Sequence, residues 1–307
     1  MGLRDRLTGG GGGEDEEAAA RRVADLERLE RGSIPAAAEQ RVRELAAGGG
    51  AFTSGLSVAA FALTPLAGVR PVCQVMGSSV YKVGWQGYPW GSAFGTSRST
   101  ELTQLTTAWN TARRLALGRL EEEARLAGCH AVVDVTFEGR RHDFLADEIE
   151  IVVNGTAVHL PEGEPKRPVL TDLSMSDYVL LRRGGYGPVG VVASTSVIYV
   201  SAGWATQRAT GWRFQPNQEL GDFTQGVYEA REMALGRAST QAERLGAAGM
   251  VGVSVEHDIS VREYDQGGRS RKDLIVTFHV LGTAIAPHGT HQPLEPETVV
   301  RQGGPNR

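Results

Sequence analysis

ARRLALGR occupies positions 112–119 and AREMALGR positions 230–237, two near-identical phrases 118 residues apart. A chain that repeats itself at such a distance is built from copies of one unit, and both copies must obey the same folding rules. The match extends outward without a gap. Glu101-Leu102 recurs as Glu219-Leu220, Thr106 as Thr224, and GCHAVVDV (128–135) as GAAGMVGV (246–253). Upstream the spacing becomes 117, where Leu56, Leu63, Gly68, Pro71 and Val72 recur as Leu173, Leu180, Gly185, Pro188 and Val189. Downstream GTAV (155–158) recurs as GTAI (282–285) at a spacing of 127, so the second copy carries nine extra residues in a hairpin around Asp265–Gly268.

These spacings divide the chain into an N-terminal region 1–53, a first module 54–160, a polar linker 161–170, a second module 171–287 and a tail 288–307. The first module reads as a short helix over 57–67, then an apolar strand over 72–83 rich in β-branched residues. A Gly- and aromatic-rich loop over 85–97 follows. A long helix over 100–127 comes next, ended by Gly128. Strands over 131–137 and 148–160 complete the unit, the second opening on the alternation Glu148-Ile149-Glu150-Ile151. The expected class is α+β: tandem β-α-β-β modules, each preceded by a short helix.

Within the long helix, Leu102, Leu105, Trp109, Ala112, Ala116 and Leu120 fall on one stripe at helical spacing. Their second-copy counterparts are Leu220, Phe223, Val227, Ala230, Ala234 and Ala238. Small residues on the stripe bring the helix close to a sheet. Arg114, Arg125 and the acidic run Glu121-Glu122-Glu123 read as the solvated face. Three strands under one helix leave sheet edges unpaired, so the modules are expected to complete each other's sheets, within or between chains. Gly118 and Gly236 sit inside the two helices, where glycine costs about 1 kcal/mol relative to alanine. Their recurrence points either to close approach by another element or to inheritance from the duplication without pressure to change. Arg113 and Arg231, on the border of the stripe, are expected to pair with a carboxylate or carbonyl.

The chain ends are different in kind. A glycine run over 9–13 precedes charged helices expected over 18–32 and 33–47, with Ser33 as a cap and Pro35 in a first turn. These helices are candidates for holding a protein partner. The Pro-, Gln- and Gly-rich tail reads as disordered. A net charge of −4 gives no reason to expect nucleic acid or an anionic membrane as partner. The N-terminus lacks the apolar core of a signal peptide, and the apolar stretch 56–69 is shorter than the roughly 20 residues of a membrane span. Two cysteines, Cys73 and Cys129, make no disulfide framework. The expected location is cytoplasmic.

The motifs Ala112-Arg-x-Leu-Ala-Leu with Glu121–Glu123, Gly-x-x-Ala-Val-Val-x-Val at 128–135 and Gly155-Thr-Ala-Val, with AREMAL, GAAGMVGV and GTAI in the second copy, resemble the YbjQ-like family. Its members are often labelled heavy-metal-binding domain proteins. The resemblance covers both modules and neither terminus. It implies a dodecin-like β-α-β-β subunit that assembles into closed pentameric rings, without an established activity. The leading helix and the tandem arrangement depart from the simplest single-domain members.

A divalent heavy-metal ion is therefore the one cofactor to weigh. The soft donors are Cys73, Cys129 and His130; His142-Asp143 and His257-Asp258 are harder ones. No Cys-x2-Cys pair is present, and zinc sites want four donors at short range. Cys73, Cys129, His130 and His159 become Gly190, Ala247, Ala248 and Ala286 in the second copy, so no ligand set recurs. The sequence contains no GxSxG, HExxH or Walker A motif, and the glycine-rich turn Gly184-Gly-Tyr-Gly187 before Pro188 leads into an expected strand rather than a helix, so it is no phosphate loop; this argues against an enzyme. Aromatic residues cluster in the two loops: Trp85, Tyr88, Trp90 and Phe94 in the first, Trp204, Trp212 and Phe214 in the second. With Arg208 and Arg213 they suit a subunit interface or, alternatively, stacking of a planar ligand such as a flavin or nucleotide. The expected function is a non-catalytic, ring-forming homo-oligomeric binding or scaffold protein. The alternative is a binder of a metal ion or small planar ligand at module or subunit interfaces.

Overall fold

The computed structural model describes residues 11–88, 96–142, 148–161, 167–211, 217–266 and 268–289. Expectations about Trp90, Phe94, Asp143, Trp212, Arg213, Phe214, the side chain of His142 and the tail from 290 onward lie outside these residues.

Helix α1 (Gly11–Glu30) and helix α2 (Ala36–Ala46) lead the chain. α1 begins at Gly11 rather than near Ala18. Ser33 is not the cap of α2. Asp25 of α1 takes that role instead: its Oδ1 accepts from the Ala36 amide at 2.8 Å. The Arg28–Glu39 ion pair joins the same two helices.

The remainder is a mixed α+β assembly with seven helices in all and two four-stranded sheets among the described residues. Helix α3 (Val58–Leu63), strand β1 (Arg70–Lys82), strand β2 (Arg98–Glu101), helix α4 (Thr103–Leu126), strand β3 (Ala131–His142) and strand β4 (Glu148–His159) come first. Strand β5 (Val169–Leu170), helix α5 (Met175–Arg183), strand β6 (Tyr186–Ser201), helix α6 (Trp204–Gly211), helix α7 (Gly221–Arg244), strand β7 (Gly249–Gln266) and strand β8 (Arg269–Pro287) follow. The sheet orders are β1-β4-β3-β5 and β2-β6-β8-β7. In each, a strand, a long helix and a hairpin follow one another, and the last strand lies in the middle.

The correspondence extends to irregularities. α4 and α7 both hold 24 residues and both start after a leucine of nearly the same backbone conformation, Leu102 (φ −83°, ψ 79°) and Leu220 (φ −94°, ψ 81°). Ser57 caps α3 through the Ala60 amide, and Ser174 caps α5 through the Asp177 amide. The β1–β4 register slips between Pro71 and Cys73, the β6–β8 register between Pro188 and Gly190. The β3–β4 register slips between Val133 and Thr136, the β7–β8 register between Val251 and Ser254. Each slip falls at the spacing of the sequence repeat.

All six stripe residues are buried, and α4 packs chiefly on β1 and β4. Gly77 permits the approach: a Cβ there would lie 1.9 Å from the Ala116 carbonyl oxygen. Ser194, at the matching place under α7, instead donates its hydroxyl to the Ala234 carbonyl at 2.7 Å. Glu123 departs from the expected solvated face. It is 2% exposed, accepts from the Met76 amide at 2.9 Å and pairs with Arg41 of α2 at 3.0 Å. The N-terminal region brings the cation that lets this carboxylate enter the core. No helix is long and apolar enough to cross a membrane among the described residues.

Candidate functional site

One side of α4 also packs on the second sheet, so Leu105 and Trp109 share one core with Val197, Tyr199 and Ile275. β2 pairs antiparallel with the outer edge of β6, from Arg98 opposite Ser201 to Glu101 opposite Ile198. The helix then continues the edge with side chains where a strand would use its backbone. The Leu102 amide donates to the Val197 carbonyl at 2.8 Å, and the Val197 amide donates to Thr106 Oγ1 at 3.0 Å. Asn110 both accepts from the Thr195 amide at 3.0 Å and donates to its carbonyl at 2.9 Å. An unpaired strand edge is thereby satisfied inside a core.

Arg113 closes this contact. It is 8% exposed, and its Nη1 donates to Thr195 Oγ1 at 2.7 Å. The Thr195 hydroxyl proton is then free for His279 Nδ1, 2.8 Å away, which also lies 3.3 Å from Arg113 Nη2. Burial pulls the Arg113 pKa down to about 10, opposed by the charge of Glu256, so the guanidinium stays protonated at neutral pH. Burial and then Arg113 push His279 down to about 3, which keeps the imidazole neutral and able to accept. Trp109 meets the His279 ring edge-on at 4.8 Å. A cavity of about 100 Å³ remains beside these groups, lined also by Phe137, Gly139 and Glu256.

The exchange is mutual. Residues 169–173 run along β3: the Val169 amide donates to His130 O, Thr171 to Val132 O and Asp134 to Leu173 O, all near 3.0 Å. Thr171 Oγ1 meets Thr283 Oγ1 at 2.9 Å. Each half of the chain thus supplies the edge segment of the other's sheet. Tyr88 and Arg262 add a cation–π contact at 4.3 Å between the first aromatic loop and β7.

Arg113 contacts a hydroxyl and an imidazole rather than the carboxylate or carbonyl expected of it. Arg231, its counterpart, lies at the surface beside Glu232 at 3.2 Å. Trp85 is 89% exposed; Trp204 is half-exposed, with the Arg208 guanidinium stacked 3.5 Å over it. Gly118 and Gly236 both line an open groove between α4 and α7, and a Cβ at either would touch nothing within 4 Å. No close approach reaches them within the described chain. Asn110, Thr195, His279 and the Thr171–Thr283 pair were not singled out from sequence. Thr283 lies in the GTAI motif, so a polar residue recurring on an otherwise apolar strand was the signal available.

Cys73 and Cys129 lie in the same buried cluster. Burial, reinforced by Cys73, pushes the Cys129 thiol up to about 12, and burial also raises Cys73. Both are held as thiols, whereas the thiolate binds metal. His130 Nδ1 lies 3.1 Å from the Leu160 amide and 3.2 Å from the Leu160 carbonyl, and the ring packs against His159 at 5.1 Å. Among the described residues no three His, Cys, Asp or Glu side chains converge on a metal-sized site. This donor set does not fit an ion held by one chain.

A family model described as "Putative heavy-metal-binding" (YbjQ_1) matches residues 74–161. The chain is also 34% identical over 255 residues to the protein named Encapsulin nanocompartment protein Rv1762c of Mycobacterium tuberculosis, covering 81% of this chain and 91% of that one. Neither match names an enzymatic activity. No solved structure matches the chain. With β1–β4 under the family model and both halves under the mycobacterial relative, the chain belongs to the YbjQ-like family.

Proposed function

We propose that the protein is a non-catalytic, self-assembling unit: two tandem, dodecin-like β-α-β-β modules per chain that build a closed homo-oligomer serving as a scaffold or binding shell. One observation carries the reading. The two halves are joined by exchange of edge segments, and among the described residues the exchange leaves one edge without a partner strand at each end of the pair, on β1 and on β7. The mycobacterial relative is named for a nanocompartment, which is the kind of closed assembly such ends would build. α1 also turns Val23 and Leu26 outward at 58% and 59% exposure, a surface suited to a protein partner.

Light scattering on the purified full-length protein, paired with elemental analysis, tests the proposal. A defined multimer without stoichiometric metal is expected. A monomer carrying one ion per chain that is lost in Cys129→Ala would replace the scaffold reading with the metal-binding one.

A further inference from the structure

We infer that the second half of one copy docks on the first half of the next, repeating between chains the contact that the two halves make within one chain. This deepens the assembly reading and rests on the equivalence of the two modules.

Consider first the segment that covers β3. Residues 169–173 pair with it, and the helix that follows buries Met175 (0% exposed) and Tyr178 (4%) beside Ala131 and Val133. The counterpart segment 52–56 is seated on its own module in the same way: the Gly55 amide donates to Thr156 Oγ1 at 3.1 Å, as the Asp172 amide does to Thr283 Oγ1. Yet Val58 and Phe61, counterparts of Met175 and Tyr178, are 88% and 46% exposed. The strand that would receive them is exposed as well. Val135 on β3 is 2% exposed, while Val253 at the same place on β7 is 41% exposed.

The other side of the contact is equally incomplete. Val197 on the edge of β6 is fully buried under β2 and Thr106, while its counterpart on β1, Val80, is 66% exposed. The counterpart of β2 is the exposed stretch from Asn217 to Glu219, which enters α7 through Leu220 with the backbone of Leu102. Tyr228, at the place of Asn110, is 60% exposed. Residues with buried twins therefore stand open on two surfaces, one on each module.

The groove of about 1250 Å³ between α4 and α7 leaves room in this docking for α2. It is lined by Ala193, Arg237 and Gln241, whose counterparts Met76, Arg119 and Glu123 hold α2 and the turn before it. By the same correspondence, α2 of the next copy would fall in that room. Its Arg41 and Arg43 then approach the α7 face bearing Glu229 and Glu232. Contacts of this head-to-tail kind join unlike surfaces, so one copy always offers what the next one lacks.

The test uses the full chain in native mass spectrometry and an oxidative cross-link. Val80→Asp spoils only the first surface and Val253→Asp only the second. Each alone should reduce the oligomer to monomer. Mixed together, they should form a two-chain species, twice 32.8 kDa, through the one intact pair of surfaces. Lys82→Cys with Gln218→Cys, placed opposite each other by the register of Thr100 and Tyr199, should give a ladder of covalent multimers on oxidation. A monomeric wild type would remove the assembly reading itself. A wild-type oligomer unchanged by both aspartates, with no ladder, would leave assembly standing and overturn this interface.

Discussion

Asp134 and Gly252 hold the same left-handed backbone, φ 56° and 64°, at matching bulges in β3 and β7. Aspartate tolerates this region better than most residues, and glycine occupies it without a Cβ penalty. Asp134→Gly should therefore change stability by no more than about 1 kcal/mol. Gly252→Val, which puts a branched side chain into left-handed backbone with a Cβ 3.1 Å from Leu173, should cost about 1–2 kcal/mol. Chemical denaturation of the two variants separates these outcomes.

Gly77 and Ser194 sit at one position under two helices at different heights. Gly77→Ala drives a Cβ into the backbone of Ala116 and Leu120, which cannot move without displacing α4. Loss of about 3 kcal/mol or more is expected. Ser194→Ala removes one hydrogen bond and should cost about 1–2 kcal/mol. Equal melting temperatures for the two variants would contradict the closer packing of α4.

Burial raises the pKa of Glu123, opposed by the Met76 amide and by Arg41. Because the folded state favours the protonated acid, this group lowers stability as pH rises above the ordinary glutamate range. Arg41→Ala should cost about 2 kcal/mol at neutral pH by leaving the carboxylate unpaired. Adding Glu123→Gln should restore most of that, since Gln241 already accepts the matching bond from Ala193. A double-mutant cycle measures the coupling.

His279 titrates in the opposite sense. Its pKa falls from 6.5 to about 3 on folding, so the unfolded chain binds the extra proton between these values. Stability should fall as pH drops from 6.5 toward 3, by an amount on the order of several kcal/mol. His279→Gln should flatten that part of the curve, read by denaturation at pH 7, 5 and 4.

Much of the fold was legible because the repeat and the hydrophobic stripe are local patterns. The stripe from Leu102 to Leu120 is buried throughout, and the α+β character with one long helix per sheet follows from the same periodicity. What was not legible depends on partners distant in the chain. Glu123 reads as surface until Arg41 arrives from 82 residues away. Ser33 reads as a cap because local rules favour it, but Asp25 reaches the helix end first. Asn110 and Thr195 look unremarkable alone, because they matter only where a helix substitutes for a strand. Cys129 and His130 stand out by residue type, yet in the turn before β3 one goes into the core and the other toward Leu160.

A density map of the purified oligomer at side-chain resolution tests the central claim most directly. Residues 217–220 of one copy should run antiparallel along 80–83 of the next, with 52–56 beside β7 at the same contact. A map in which β1 and β7 face solvent, or in which copies meet through identical surfaces across a two-fold axis, would contradict it.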